Sequence, residues 1–422
     1  MKSIATAPIT ALLPLRCGVQ HYAWGEHSEA GRAPLIASLT GVAAQPDQPF
    51  AELWIGAHPN LPASVVTPNG AVSLPEFIQH HPRAVLGARG GDTLPFLLKV
   101  LTAGTALSIQ AHPNKRLAAQ LHARSPQHYP DANHKPEIAI ALSEFDALCQ
   151  FRPTAAIRRD LDRWAPLHTF FAGLPAAPAK TWLKAAYARL FQAPAEAMRQ
   201  LVEAQAAAVG QAGPRTPHDE WFLELARQYP GDRGAISLYF LNLVHLQPGE
   251  ALFLAADEPH AYLRGAIIEC MASSDNVVRA GLTPKFIDVE TLLTMLTYRQ
   301  GGAPRLRPRH RADGSLTFIP PVPEFAVDWW RPRQSERVTA RSHDTVSLLL
   351  ILSGRAELRT PQGAPVLAER GSTWLWPAAI PSLTFTALDA DTQVVRARPN
   401  TPGQTNNVGA TLLKKGADQS PS

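Results

Sequence analysis

The chain has 422 residues, 45% of them hydrophobic and 18% charged, with a formal net charge of +5. This is a globular composition, long enough for two or three domains of about 100–200 residues, and its charge excess is too small for a nucleic-acid-binding protein. No apolar run reaches the length of a membrane span, Pro8 and Pro14 interrupt the N-terminal stretch where a signal peptide would need its apolar region, and Cys17, Cys149 and Cys270 show no C-x-x-C spacing; the expectation is a cytoplasmic protein without a disulfide framework, a cysteine zinc site, a nucleic-acid partner or a membrane partner.

Residues 15–150 hold short β-like runs broken by Gly, Pro and Asn, among them AELWIGAHPN, LPFLLKVL and TALSIQAH. In SIQAHPNK, Ser108, Gln110 and His112 alternate with small or apolar residues. On a strand they share one face, as the wall of a polar cavity would. The two apolar runs of FLLKVLTAGTALSIQAH flank Ala103-Gly104, which reads as a tight hairpin turn. That register sets Lys99 opposite Ser108. An ammonium within an apolar run either snorkels outward or meets an anion. Next, HKPEIAIAL places Glu137 at the start of a strand, pointing away from its apolar face.

Residues from about 154 to 235 change character. AAIRRDLDRW, AKTWLKAAYARLF, PAEAMRQLVEAQAAAVG and DEWFLELARQY carry Ala, Leu, Arg and Glu at helical spacing. The β signal returns with LQPGEALFLAADEPHAYLRG, where His260 ends a β-like run, and continues after a Pro- and Arg-rich stretch with SLLLILSGRAELRT and GSTWLWPAAI. A weak repeat links GEALFLAADEPH to GSTWLWPAAIPS: Gly, an apolar strand, a turn and a Pro-X pair recur at one spacing. This resembles the double-stranded β-helix of cupins, and Ser382 stands where the earlier copy has His260. The expected fold is therefore mainly β with a helical insertion: cupin (jelly-roll) domains plus an α-helical domain. The expected divisions are 1–153 and 241–320 for the two parts of a catalytic cupin, 154–240 for the helical insertion, 321–399 for a C-terminal cupin without metal, and 400–422 for a tail.

Two histidines, a carboxylate and an amide oxygen (His112, His260, Glu137 and Gln110) make a ligand set suited to zinc with a position open to water or substrate. Taken singly, His260 reads better as a turn histidine, and Glu137 reads also as a solvated strand end; it is the set that points to a metal. Polar residues crowd ECMASSDNVVRAGLTPKFID, where Arg279 and Lys285 join Lys99 as a possible phosphate clamp, although ordinary turn chemistry explains some of that density.

Six stretches, QHYAWG, AELWIGAHPN, LPFLLKVLTAGTALSIQAHPNK, HKPEIAIAL, PGEALFLAADEPHAYLRG and IECMASSDNVVRAGLTPKFID, resemble in order the type I mannose-6-phosphate isomerases. The resemblance runs from about residue 15 to 300. It implies a zinc-dependent cupin enzyme that interconverts mannose 6-phosphate and fructose 6-phosphate through a cis-enediol. It further implies a place in carbohydrate metabolism, including GDP-mannose biosynthesis. Carried over by motif, one zinc per chain is held by Gln110, His112, Glu137 and His260. Ser108, Lys99, Lys285 and Arg279 meet the phosphate, and the proton-transfer set is Arg279, Lys135, Glu269, Asp275 and His134. A monomer is expected. Asp257 and Glu258 depart from the small turn expected before His260, and would alter the rim of the site. The competing reading is a non-catalytic sugar-phosphate-binding cupin. A fused guanylyltransferase is excluded by the lack of a Gly-rich phosphate loop.

Overall fold

The computed structural model describes residues 9–400 except 30 and 46, so the tail expected over 400–422 lies, beyond Asn400, outside the described residues. The fold is mainly β with a helical region, and the chain divides into two compact units. One runs over Val19–Leu53 and Lys99–Arg305; the other takes the stretch before it up to Gly18, then Trp54–Leu98, then Leu306 onward.

In the first unit, strand Phe145–Phe151 pairs on one side with Leu241–Leu246 and on the other with the start of His260–Ala272. The far half of that 13-residue strand pairs instead with Glu137–Ala141, which in turn pairs with Ala251–Leu254. The changeover falls at Gly265, whose φ is +112. A Cβ there would stand 2.3 Å from the Glu144 carbonyl oxygen, so only glycine lets the strand bend so closely against its neighbour. The interior between the two sheets is lined by Ala139, Ala141, Phe145, Ala147, Cys149, Leu252, Leu254 and Tyr262.

Six helices and a 3₁₀ turn lie between Thr154 and Phe240 among the described residues, as the helical spacing predicts. They leave the sheet just after Phe151 and return at Leu241, and these two residues are direct strand partners. Their apolar faces, with Tyr187, Leu190, Phe222 and Phe240, cover the outer side of Leu148, Phe151, Ala261 and Leu263. Proline precedes or opens most of these helices, at Pro153, Pro178, Pro194 and Pro217, where its missing N–H costs no helical bond. No helix of the described residues is long and apolar enough to cross a membrane.

In the second unit, Leu13–Arg16 lies between Thr373–Trp376 and Ser64–Thr67, and Ser347–Ser353 lies between Thr373–Trp376 and Gln393–Arg398. A four-stranded sheet built from Arg337–Arg341, Ser382–Ala387, Ala356–Arg359 and Val366–Ala368 completes it. Trp330, Val338, Ile351, Trp376, Leu383 and Phe385 fill its core. The division expected from the sequence assigns all of 1–153 to the first cupin; instead Leu13–Arg16 and the segment Trp54–Leu98 belong to the unit that carries the C-terminal strands. The partners of Leu13–Arg16 lie far along the chain, beyond the reach of a local pattern.

The expected hairpin at Ala103-Gly104 does not form. Gly104 and Thr105 donate to the Trp24 carbonyl, Leu107 to Tyr262 and Ile109 to Gly281. Their backbone groups are satisfied by three other segments, which draw the chain away from strand Phe96–Ala103.

Candidate active site

Strand Gln110–Ala111 is held between His260 on one side and Val278–Arg279 on the other. Gln110 sits directly opposite both His260 and Arg279. Directly opposed residues share a face of the sheet, so these three project together. Ile109 and Ala111 face the other way into the apolar core beneath the helices. That is the physical content of the alternation in SIQAH.

His112, Glu137 and His260 are buried, and their ligating atoms all lie within 4.8 Å of one another. His112 Nε2 is 3.4 Å from Glu137 Oε1, and His260 Nε2 is 3.3 Å from Oε2. Each imidazole is oriented through its other nitrogen. His112 Nδ1 donates to the Asn276 carbonyl at 2.7 Å and His260 Nδ1 to the Glu258 carbonyl at 3.2 Å. Because a carbonyl only accepts, both rings carry their proton on Nδ1 and turn an Nε2 lone pair inward. Neither Nε2 nor either Glu137 oxygen makes a well-aligned hydrogen bond. Of these four converging, buried acceptors only Glu137 Oε1 has a cation beside it, the Lys135 ammonium at 2.9 Å; such an arrangement is costly, and a divalent cation removes that cost. Two imidazole nitrogens and a carboxylate are zinc donors, so the residues present fit the metal. Burial, which outweighs the attraction of Glu137, lowers the His112 pKa to about 4; the ring therefore stays neutral and able to ligate. Burial resists ionisation of Glu137, but the Lys135 ammonium beside it helps hold its carboxyl well below the usual range.

A layer of fixed charge surrounds this cluster. Lys135 Nζ lies 2.9 Å from Glu137 Oε1. Lys99 Nζ is buried 3.2 Å from Glu52 Oε1 and 3.1 Å from Glu269 Oε2. Tyr262 donates to Glu269 Oε1 at 2.9 Å. Burial alone would lower the Lys99 pKa, but Glu52 and Glu269 outweigh it and raise it. Glu269 titrates above the usual carboxylate range because burial outweighs Lys99. Lys99 thus neither snorkels outward nor faces Ser108; its anions are carboxylates.

The segment after Met271 is organised by Asp131. Its carboxylate accepts from the Ser274 hydroxyl and the Asp275 N–H, each at 2.8 Å, and from Asn276 Nδ2 at 3.0 Å. Asn276 Nδ2 also donates to the Asp131 and Asn133 carbonyls, which leaves the Asn276 carbonyl aimed at His112. His134 and Asp275 are half-buried. Ser108 is half-buried, Arg279 is half-buried with its pKa lowered by burial, and Lys285 is exposed on the turn that follows.

Four participants escape sequence reasoning: Glu52, Tyr262, Asp131 and Tyr22. Glu52 stands in the fully buried strand Glu52–Gly56. A carboxylate in the run AELWIG and an ammonium in the run FLLKVL are both anomalous, and each anomaly is the signal for the other. Tyr22 of QHYAWG, half-exposed, feels the charges of Glu52, Lys99 and Asp275, which places its phenol beside the same cluster.

Comparison with known proteins places the chain in a family. Residues 12–154 match the family model "phosphomannose isomerase type I, catalytic domain". The mannose-6-phosphate isomerases of Macaca fascicularis and Homo sapiens are each 42% identical over 396 residues, covering 85% of this chain and 92% of theirs. Among solved structures, a zinc-bound mannose 6-phosphate isomerase matches with a TM-score of 0.81 at 31% identity, covering 92% of this chain and all of that one. A mutant phosphomannose isomerase from Salmonella typhimurium matches at 0.82 with the same identity.

Proposed function

Since the chain belongs to the mannose-6-phosphate isomerases, and is an isomerase, we propose that it interconverts mannose 6-phosphate and fructose 6-phosphate at the His112–Glu137–His260 cluster, with one zinc held by these residues and Gln110. The observation that carries this reading is the convergence of two imidazole nitrogens and a carboxylate on one buried point, none of them in a well-aligned hydrogen bond, with Gln110 and Arg279 on the adjoining strand face. When bound, zinc supplies Lewis-acid stabilisation for the oxygen on which negative charge develops.

The chain's own residues do the rest. Isomerisation removes a carbon-bound proton from one carbon and returns it to its neighbour through a cis-enediol, with charge building on oxygen. A positioned acid–base group contributes roughly 10²–10⁴-fold. His134, Lys135, Glu269, Asp275 and Arg279 are the proposed proton-transfer set. Within it Glu269 has one oxygen on Tyr262 and the other on Lys99, which hold its carboxyl in place. Lys135, whose Nζ stands beside Glu137, and Arg279, opposite Gln110 on the strand, are proposed to supply the cations that the developing oxyanion needs. Ser108, Arg279 and the exposed Lys285 are proposed to bind the phosphate, so that binding energy remote from the reacting carbons holds the open chain in place. Lys99 stands at one remove from it, fixed by its two carboxylates.

The test is a coupled assay with mannose 6-phosphate on purified protein, before and after chelation, with unphosphorylated mannose as the control. Turnover that vanishes on chelation, returns with zinc and is very poor with mannose is the expected outcome. Undiminished turnover in the chelated, metal-free protein overturns the metal reading.

A further inference from the structure

The acidic pair before His260 does not form a rim. Asp257 turns inward at a φ of +62, a left-handed conformation that Asp tolerates better than most side chains but which still carries a small cost. Its polar groups are engaged on several sides. Its N–H donates to the His112 carbonyl at 2.7 Å, and its own carbonyl accepts from Thr297 N at 3.2 Å. Its carboxylate accepts from Asn114 N at 3.0 Å and from Asn114 Nδ2 at 2.7 Å. Glu258, buried beside it, accepts from the Thr297 hydroxyl at 2.5 Å through Oε1, while its carbonyl receives the His260 Nδ1 proton.

We propose that Asp257 is a positioning residue for the metal ligands: it fastens the backbone of His112 to the turn that carries His260, and fixes the separation of the two imidazoles before any metal arrives. The inference rests on the reading of His112, Glu137 and His260 as ligands. Helix capping does not account for the contacts. Helix Lys115–Arg124 is already capped by Asn114 itself, whose Oδ1 accepts from Leu117 N at 3.1 Å. What Asp257 adds is the bond across to the other ligand loop. A residue in a strained conformation persists when its surroundings over-determine it, and here the surroundings are the two ligand-bearing segments.

The experiment is zinc binding, by competition with a chromophoric chelator, to metal-stripped wild type, Asp257→Gly and Asp257→Asn, with thermal unfolding of each stripped protein measured alongside. Glycine relieves the backbone and deletes the carboxylate's two bonds to Asn114, the side-chain half of the clamp, while the backbone bond to His112 remains available; asparagine keeps one acceptor oxygen. Partners that orient a ligand typically contribute 10–100-fold in metal affinity. Asp257→Gly is expected to bind zinc about 10–100-fold more weakly and release it faster, with Asp257→Asn between it and wild type. A merely structural role would lower the unfolding temperature of the stripped protein and leave zinc affinity where it was. Zinc affinity of Asp257→Gly within about twofold of wild type would overturn the inference while leaving the metal site standing. Should the glycine variant not fold, wild-type affinity in Asp257→Asn does the same. Wild type that binds no zinc would overturn the metal assignment, and this inference with it.

Discussion

Each unit buries a cluster of charged or ionisable groups, and the two clusters are finished differently. In the unit with the C-terminal strands, Asp328 is buried between Arg396, whose Nε is 2.7 Å from Oδ2, and Arg398, whose Nε is 2.8 Å from the same atom. Thr317 donates to Oδ1 at 2.8 Å, and the Arg396 guanidinium lies 5.0 Å from the Trp330 ring and 5.3 Å from Trp376. Burial opposes ionisation of Asp328, but the two arginines hold its carboxyl far below the usual range. That cluster is complete in itself. Around His112, Glu137 and His260 the groups are ordered with equal care, through the Asn276 and Glu258 carbonyls, yet both imidazole Nε2 atoms and Glu137 Oε2 at the centre are left without donors, and only Oε1 has a cation, Lys135, beside it. A buried polar cluster that satisfies itself is structure; one that is well oriented and unsatisfied is a site awaiting a ligand.

This contrast breaks most readily at the metal ligands. Glu137→Ala and His260→Ala should each lose zinc in elemental analysis, and kcat/KM should fall about 10³-fold or more, the equivalent of several kcal/mol of Lewis-acid stabilisation. Full zinc occupancy in both variants would contradict the assignment. In the closed cluster the effect should move from activity to stability. Asp328→Ala leaves two buried arginines uncompensated, a change that typically costs 3–5 kcal/mol. Denaturant titration should show that loss, while the folded fraction keeps wild-type kcat. An Asp328→Ala protein as stable as wild type would mean that the cluster does not need its own counter-charge.

A pH series on the metal-stripped enzyme sharpens the comparison further. The His112 pKa falls from 6.5 to about 4 on folding because of burial. Between those values the unfolded chain binds a proton that the folded one refuses, so stability rises with pH across that window and falls as pH drops below about 6.5. The loss is of order 3 kcal/mol by pH 4, and His112→Gln should flatten that part of the curve. Zinc should not flatten it: it keeps the folded ring unprotonated below pH 4 as well, so in the loaded protein the decline should continue to lower pH. The smallest expected effect is at the periphery. Lys285→Ala removes one charged hydrogen bond, roughly 1.5–3 kcal/mol, and should raise KM for mannose 6-phosphate about tenfold or more with kcat nearly unchanged. An unchanged KM would remove Lys285 from the phosphate site.

What the sequence makes legible is local. The alternation of Gln110 with apolar neighbours, the helical spacing from Thr154 onward and the polar density after Met271 all follow from short-range periodicity, and the structure shows them where expected. What fails is pairing at a distance. Lys99 reads as the neighbour of Ser108 only if the chain turns back at Ala103-Gly104; its real partners, Glu52 and Glu269, come from strands that no local rule connects. Asp257 and Glu258 read as acidic residues that alter the rim of the site, whereas the Asp257 carboxylate is bonded to Asn114 and Glu258 is buried against Thr297. Strand Leu13–Arg16 looks like the start of the first unit, but it completes a sheet with residues near the other end of the chain.

The return of the chain at Leu241 to the very partner it left, Phe151, bears on how the site assembles. The His112 ring meets its orienting carbonyl across 164 residues of sequence, a separation that would make the contact slow to find. Much of that separation is the helical segment. Once its ends are zipped together at Phe151 and Leu241, the helices no longer lengthen the loop that must close between His112 and Asn276. Loop-closure cost grows only as the logarithm of length, about 0.6 kcal/mol per doubling, so the saving in free energy is small and the gain is mostly in search time. For the same reason the helices are free to vary in number and length: insertions within them leave the spacing of the ligands, as the closing loop experiences it, unaltered.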